Sequence, residues 1–343
     1  MDRFMKLALL EAQKGKDTWQ NPQVGAVIVK NGQVLSKGHH ETYGQAHAEV
    51  NALNNLLHLS DAQNATLYVT LEPCSHFGKT PPCVKRIVEV GIKKVVIGDV
   101  DPNPQVCGRG IKYLESHGIE VIDLRIHAQI NQAYNFFHEF KRPLITVKYA
   151  MSLDGKINQT FGQRTIISNQ TSFLDSQKLR SKNQAILVGE NTFRIDDPQL
   201  TVRKTDLKFP PIRIVLIKDI NTVNLGQRIF SSPEPIWFLS STRPEQEFPK
   251  NVQIYTDQWS VEKIVEFLFK KGIQSLLVEG GSSIQADFVE ANLIDKLIVY
   301  LAPKFLGQGL PAINKNIGKV MKFSKPEIVW LDNDLKLTAW RER

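Results

Sequence analysis

The sequence predicts two α/β domains in tandem, each a sheet covered by helices. Three observations carry that expectation. The chain has 343 residues, about twice the common domain size. Apolar strand-like runs alternate with helical periodicity along both halves. Lys141-Arg142-Pro143 breaks the alternation near the middle, where proline ends a helix. We set the boundary there, giving domains 1–143 and 144–343.

In the first half, residues 2–14 show an amphipathic helical pattern. Val24 to Lys30 is an apolar strand, Asn31-Gly32 a hairpin turn, and Gln33 to Lys37 the returning strand. Ala46 to Leu57 reads as helix, Thr66 to Thr70 as strand, Val84 to Val90 as helix and Lys94 to Gly98 as strand. Helix 111–117, strand 120–124 and a helix over 126–140 complete the domain. The second half predicts strand 144–150, helix 169–182, strand 185–189, and a long connection through Asp196-Asp197-Pro198. Strands follow near 212–217, 235–239 and 252–255, then helix 260–271, strand 275–278, helix 282–291 and strand 296–302. The segment 327–340 reads as extended.

Composition bounds the class. Hydrophobic residues at 42% and charged residues at 23% suit a soluble globular chain with a full core. No apolar run approaches the ~18 residues of a membrane span. The N-terminus carries no cleavage-site pattern, so a cytoplasmic protein with no membrane association is expected. Three cysteines are too few and too uneven for a disulfide framework, which leaves metal ligation or catalysis as their use. The net charge of +8 is spread along the chain, which suits anionic small molecules better than nucleic acid.

The most informative constellation is His47-Ala48-Glu49 with Pro73-Cys74 and Cys83. One imidazole and two thiolates, His47, Cys74 and Cys83, make three ligands for Zn2+ and leave one position open, the mark of a catalytic site. Zinc deaminases use this set with a Glu that moves protons and does not bind metal, the role expected of Glu49. Cys83 opens a helix, where dipole and free N–H groups favour a thiolate. Eight residues separate the cysteines, against two in plain cytidine and adenosine deaminases. The insertion brings His76, Lys79 and Thr80 beside the metal, groups that can bind a phosphate or sugar. Cys107 fits no pattern and is read as a packed thiol.

The strings NPQVGAVIV, GHHETYGQAHAEV, LEPCSHFGKTPPC and DVDPNPQVCGRG resemble bacterial bifunctional riboflavin biosynthesis proteins of the RibD type. That resemblance implies deamination of 2,5-diamino-6-(5-phosphoribosylamino)pyrimidin-4-one, then NADPH-dependent reduction of its ribosyl group to ribityl. It implies a cytidine-deaminase-like α/β/α domain followed by a dihydrofolate-reductase-like α/β domain. It also places Asn21, His40, His76, Lys79 and Thr80 around the pyrimidine and ribose phosphate. A phosphorylated pyrimidine is the expected partner, and a homo-oligomer, dimer or tetramer, the expected assembly.

The second half lacks Gly-x-Gly-x-x-Gly after a strand, so a Rossmann site is not expected. Val278-Glu279-Gly280-Gly281-Ser282-Ser283 instead runs from strand to helix through two glycines, which let a phosphate approach the helix N-terminus. Residues 147–156 and 189–203 resemble the reductase domain of the same family. By that resemblance Ala150, Ile166, Thr192, Asp196, Lys218 and the run Gly281, Ser282, Ser283, Ile284, Gln285, Ala286 contact NADP. Lys148, Arg164, Arg180, Leu200, Arg203 and Glu279 hold the substrate, with Arg180 and Arg203 suiting a dianionic phosphate. Lys218 follows a strand where relatives place a contact to the adenosine 2′-phosphate; a solvated strand-end lysine is its other reading. The chain departs from relatives at Arg164, where a serine is common, and at Ile166, where a tryptophan is common. Two other readings compete: a nucleoside or tRNA deaminase with an unrelated appended domain, and a nucleic-acid-binding module with structural zinc. Structural zinc takes four protein ligands, and only three are found.

Overall fold

The structure, a computed structural model, describes residues 2–203, 206–318 and 320–342. Its contacts divide the chain into two compact units, Met1–Lys141 and Arg142–Arg343.

The first unit opens with α1 (Arg3–Ala12), capped by Asp2, whose Oδ1 accepts from Phe4 N at 2.7 Å and Met5 N at 3.2 Å. Strands β1 (Gly25–Lys30) and β2 (Gln33–His39) form a hairpin. Asn31 and Gly32 turn it at φ of 52° and 76°, the left-handed pair a tight hairpin requires. Then come α2 (Ala48–Asn54), β3 (Thr66–Leu71), α3 (Cys83–Glu89), β4 (Lys94–Asp99), α4 (Arg109–Ser116), β5 (Glu120–Asp123) and α5 (Gln132–Phe140). The sheet order is β2-β1-β3-β4-β5, antiparallel through β3 and parallel beyond it. Successive residues of β1 face opposite sides. Ala26 and Ile28 join Ala52, Val84, Ile87 and Leu114 in one core, while Val27 and Val29 pack with Met5 and Ala8 of α1 in another.

The second unit contains β6 (Leu144–Ser152), α6 (Gln170–Ser181), β7 (Ala185–Gly189), α7 (Glu190–Asp196), β8 (Ile212–Ile217), β9 (Ile236–Ser240) and β10 (Val252–Thr256). It continues through α8 (Val261–Lys270), β11 (Ser275–Val278), α9 (Ser282–Glu290), β12 (Lys296–Ala302), β13 (Glu327–Leu331) and β14 (Asp334–Trp340). Nine strands run in the order β10-β9-β8-β7-β11-β6-β12-β14-β13. The first seven are parallel, and β14 and β13 pair antiparallel at one edge. Strands β9 and β11 are buried throughout, as a parallel sheet covered on both faces requires.

Three expectations shift. The connection around Asp196 holds the helix α7, ended where Asp197 turns left-handed at φ 43° before Pro198. The helix expected from 126 starts at Gln132, after a short 3₁₀ turn over Gln129–Asn131. Positive φ at Arg125 and His127 keeps that stretch irregular, and the Asp99 carboxylate accepts from His127 N at 2.8 Å and Ala128 N at 2.9 Å. The extended segment 327–340 is a hairpin, turned at Asp332 with φ 54°. No described helix is long and apolar enough to cross a membrane.

Candidate active sites

In the first unit, His47 is the N-cap of α2, Cys83 the first residue of α3, and Cys74 lies in the loop after β3. His47 Nδ1 stands 3.4 Å from Cys74 Sγ and 3.3 Å from Cys83 Sγ. The three donor atoms lie within 4.8 Å of one another. A tetrahedral zinc with ordinary Zn–N and Zn–S bonds has ligand-to-ligand edges of about 3.6 Å, so the trio fits that ion. Its protonation points the same way. The hydrogen bond from Cys83, acting against burial, lowers the Cys74 thiol to about 4. Burial would depress His47, yet its bond to Cys74 and the negative charges of Glu49 and Cys74 raise it to about 9. The donor set therefore calls for positive charge at its centre.

Glu49, in the first turn of α2, is 3% exposed, and burial raises its carboxyl above the usual range. It lies against Cys83 as a proton carrier beside a metal should. His40, 2% exposed, donates from Nδ1 to Ala46 O at 3.0 Å. That tautomer makes Nε2 the acceptor for Asn21 Nδ2, also at 3.0 Å. The His40 ring meets His47 edge-on, 5.5 Å between centroids, so Asn21 and His40 adjoin the ligands. Thr80 Oγ1 lies 3.5 Å from His47 Nε2. Lys79 is exposed, its Nζ 3.8 Å from the Tyr43 ring centroid. His76 is half-buried, and its Nδ1 is a buried polar atom with no hydrogen-bond partner among the described residues. Cys107, read as packed, is exposed at the surface.

The second unit has a cleft of about 870 Å3. Its lining includes Thr192, Asp196, Lys218, Gly281, Ser282, Ser283 and Ile284, together with Arg164. It is the space at the N-terminus of α9, where free N–H groups suit a phosphate. Ala150, Ile166, Gln285 and Ala286 are not among its lining residues. Gln285 and Ala286 are buried in α9, while Ile166 is 75% exposed, a position from which an apolar side chain has little to hold. Trp259, Gln258 and Ser241 also line the cleft and were missed, because nothing in their surrounding sequence marks them.

The expected substrate contacts separate into two groups. Glu279, directly after β11 and with its side chain 7% exposed, holds Arg180 through Nε at 2.9 Å and Nη2 at 2.7 Å, with Lys148 Nζ at 3.5 Å. Burial would raise Glu279, but the Arg180 and Lys148 charges override it and hold the carboxyl at about 2. Arg180 Nη1 also donates to Thr201 O at 3.0 Å. Arg180 is thus engaged by protein groups, and of Arg180 and Arg203 only Arg203 is exposed. Leu200, at φ 56° and 2% exposed, sends its side chain into the core, so only its backbone can meet a ligand. Arg213, fully buried and not anticipated, donates to Gln199 O at 3.1 Å and Ile229 O at 2.7 Å, bracing that loop.

Known proteins match both units. The cytidine and deoxycytidylate deaminase zinc-binding region matches residues 1–99, and the RibD C-terminal domain matches 143–337. The riboflavin biosynthesis protein RibD of Bacillus amyloliquefaciens is 37% identical, covering 98% of this chain and 95% of that protein. RibD of Escherichia coli is 38% identical over 89% of this chain and 88% of its own. Acinetobacter baumannii RibD superposes with a TM-score of 0.89 at 32% identity, covering 99% and 98% of the two chains. The diaminohydroxyphosphoribosylaminopyrimidine deaminase/5-amino-6-(5-phosphoribosylamino)uracil reductase of Thermotoga maritima superposes with a TM-score of 0.86 at 33% identity, covering 98% and 97% of the two chains. With a cytidine-deaminase-like unit followed by a RibD-type reductase unit, the chain belongs to the RibD family of riboflavin biosynthesis proteins.

Proposed function

We propose that the chain catalyses two successive steps of riboflavin biosynthesis. Domain 1–143 removes ammonia from 2,5-diamino-6-(5-phosphoribosylamino)pyrimidin-4-one. Domain 144–343 then reduces the ribosyl group of the product to ribityl with NADPH. The observation that carries the first step is His47 Nδ1 facing both thiols, with Glu49 buried beside them. Bound there by His47, Cys74 and Cys83, zinc supplies a water acidified to act near neutral pH.

The chain's own residues do the rest. Glu49 takes a proton from the attacking water and returns one to the departing amine nitrogen. Asn21, its Nδ2 spent on His40, presents Oδ1 to the pyrimidine's N–H groups. Lys79, Thr80 and His76 meet the ribose phosphate. In the second unit, NADPH supplies the hydride when bound, its phosphates against Gly281, Ser282 and Ser283 at the head of α9. Arg203 takes the substrate phosphate, and Lys148 and Glu279 face the ribosyl chain.

The test supplies the phosphoribosylated diaminopyrimidine with NADPH and follows ammonia release and NADPH loss separately. Both signals, with ammonia first, are expected. Ammonia without NADPH loss would leave only the deaminase, and the appearance of neither signal would remove the reading.

A further inference from the structure

Glu72 lies at the end of β3, two residues before Cys74, and is 4% exposed. No ion pair reaches it among the described residues. Its carboxylate is instead enclosed by backbone donors. Oε1 accepts from Gly110 N at 2.8 Å and Ile111 N at 3.2 Å, and Oε2 from Gly108 N at 2.9 Å and Asp101 N at 3.4 Å. Three of these four N–H groups belong to the first turn and cap of α4, the positive end of its dipole. A protein carboxylate thus fills the anion nest at the head of this helix.

The nest also presses on the loop that bears the cysteine. A Cβ on Gly110 would stand 2.1 Å from Pro73 O, so only glycine allows this approach. Gly108 sits at φ 72°, the left-handed bend that turns its N–H toward Glu72. On the other side, Val84 N donates to Cys74 O at 3.3 Å, and Cys83 N to Cys74 Sγ at 3.4 Å. The Pro73–Cys74 turn is therefore gripped between the N-termini of α4 and α3.

We propose that Glu72 and the Gly108–Ile111 nest form a clamp that sets the position of the Cys74 sulfur toward the metal. Glu72 is a positioning residue: it touches neither metal nor substrate and acts through the Pro73–Cys74 turn. The proposal rests on the reading of His47, Cys74 and Cys83 as metal ligands. Ligand-orienting groups of this kind typically change metal affinity by ~10–100-fold when removed.

The test uses the full-length chain loaded with Co2+ in place of zinc, whose visible bands report thiolate geometry, with zinc affinity from chelator competition. Two variants perturb the clamp from opposite sides. Glu72→Gln turns an amide N–H toward backbone N–H donors, and Gly110→Ala drives a methyl group at Pro73 O. Both are expected to shift the cobalt bands and weaken zinc by ~10-fold or more, with the reductase activity unchanged. Should Glu72→Gln not fold, Gly110→Ala carries the test. Folded variants with lowered unfolding temperature but unchanged bands and zinc affinity would overturn the proposal, since a purely structural carboxylate gives that result. Failure of the unmutated chain to bind cobalt would instead overturn the metal reading beneath it.

Discussion

Arg180 and Glu279 meet in a two-pronged ion pair, Nε to Oε1 at 2.9 Å and Nη2 to Oε2 at 2.7 Å, with both side chains nearly closed to solvent. The remaining Arg180 bond, to Thr201 O, ties α6 to the loop that carries Leu200 and Arg203. One guanidinium thus joins the segment after β11 to that loop, while Arg203 on the same loop is exposed.

Removing one partner of this pair leaves a buried charge uncompensated. Glu279→Gln is expected to destabilise the second unit by about 3–5 kcal/mol. Thermal unfolding followed with NADPH oxidation reads this, and ammonia release is expected to persist.

The same pair sets an acid limit. Glu279 is held at about 2 against an ordinary 4.5. As pH falls below about 4.5 the unfolded chain takes up a proton that the folded chain refuses. The stabilisation is complete above that range and declines as pH drops toward 2. Unfolding midpoints measured from pH 6 downward should fall more steeply for the native chain than for Glu279→Gln; parallel curves would count against the assignment.

Lys218 lines the cleft and is exposed, its backbone N–H donating to Glu190 Oε2 at 3.1 Å. Lys218→Ala is expected to raise the KM for NADPH several-fold and leave that for NADH nearly unchanged. The effect should shrink as salt rises, because an exposed charge–phosphate contact is screened over about 10 Å at 0.1 M. Equal changes for the two cofactors would remove Lys218 from the 2′-phosphate.

Much of this was legible in the sequence, and the residues show why. The strand–helix alternation and the Asn31-Gly32 turn are local signals, and β1, β2 and α9 begin within a residue or so of where they were read. The spacing of His47, Cys74 and Cys83 announced a cluster that the structure brings together. Missed features depend on partners far along the chain. Glu72 reads as one polar residue closing an apolar strand, because its donors lie 29 to 39 residues away. Arg180 reads as a free cation until Glu279, 99 residues on, is folded against it. The α7 helix was hidden because its seven residues lead straight into Asp197-Pro198.

The central claim is that one chain performs deamination and then reduction, with Glu49 serving only the first. The most direct measurement is of Glu49→Gln in the full-length chain. The variant is expected to retain zinc, since Glu49 is not a ligand, and to lose ~10²–10⁴ in ammonia release from the diaminopyrimidine substrate. NADPH oxidation should fall with it for that substrate and return to the native rate when the deaminated product is supplied directly. Near-native ammonia release by the zinc-loaded variant, or no NADPH oxidation with the deaminated product, would contradict the account.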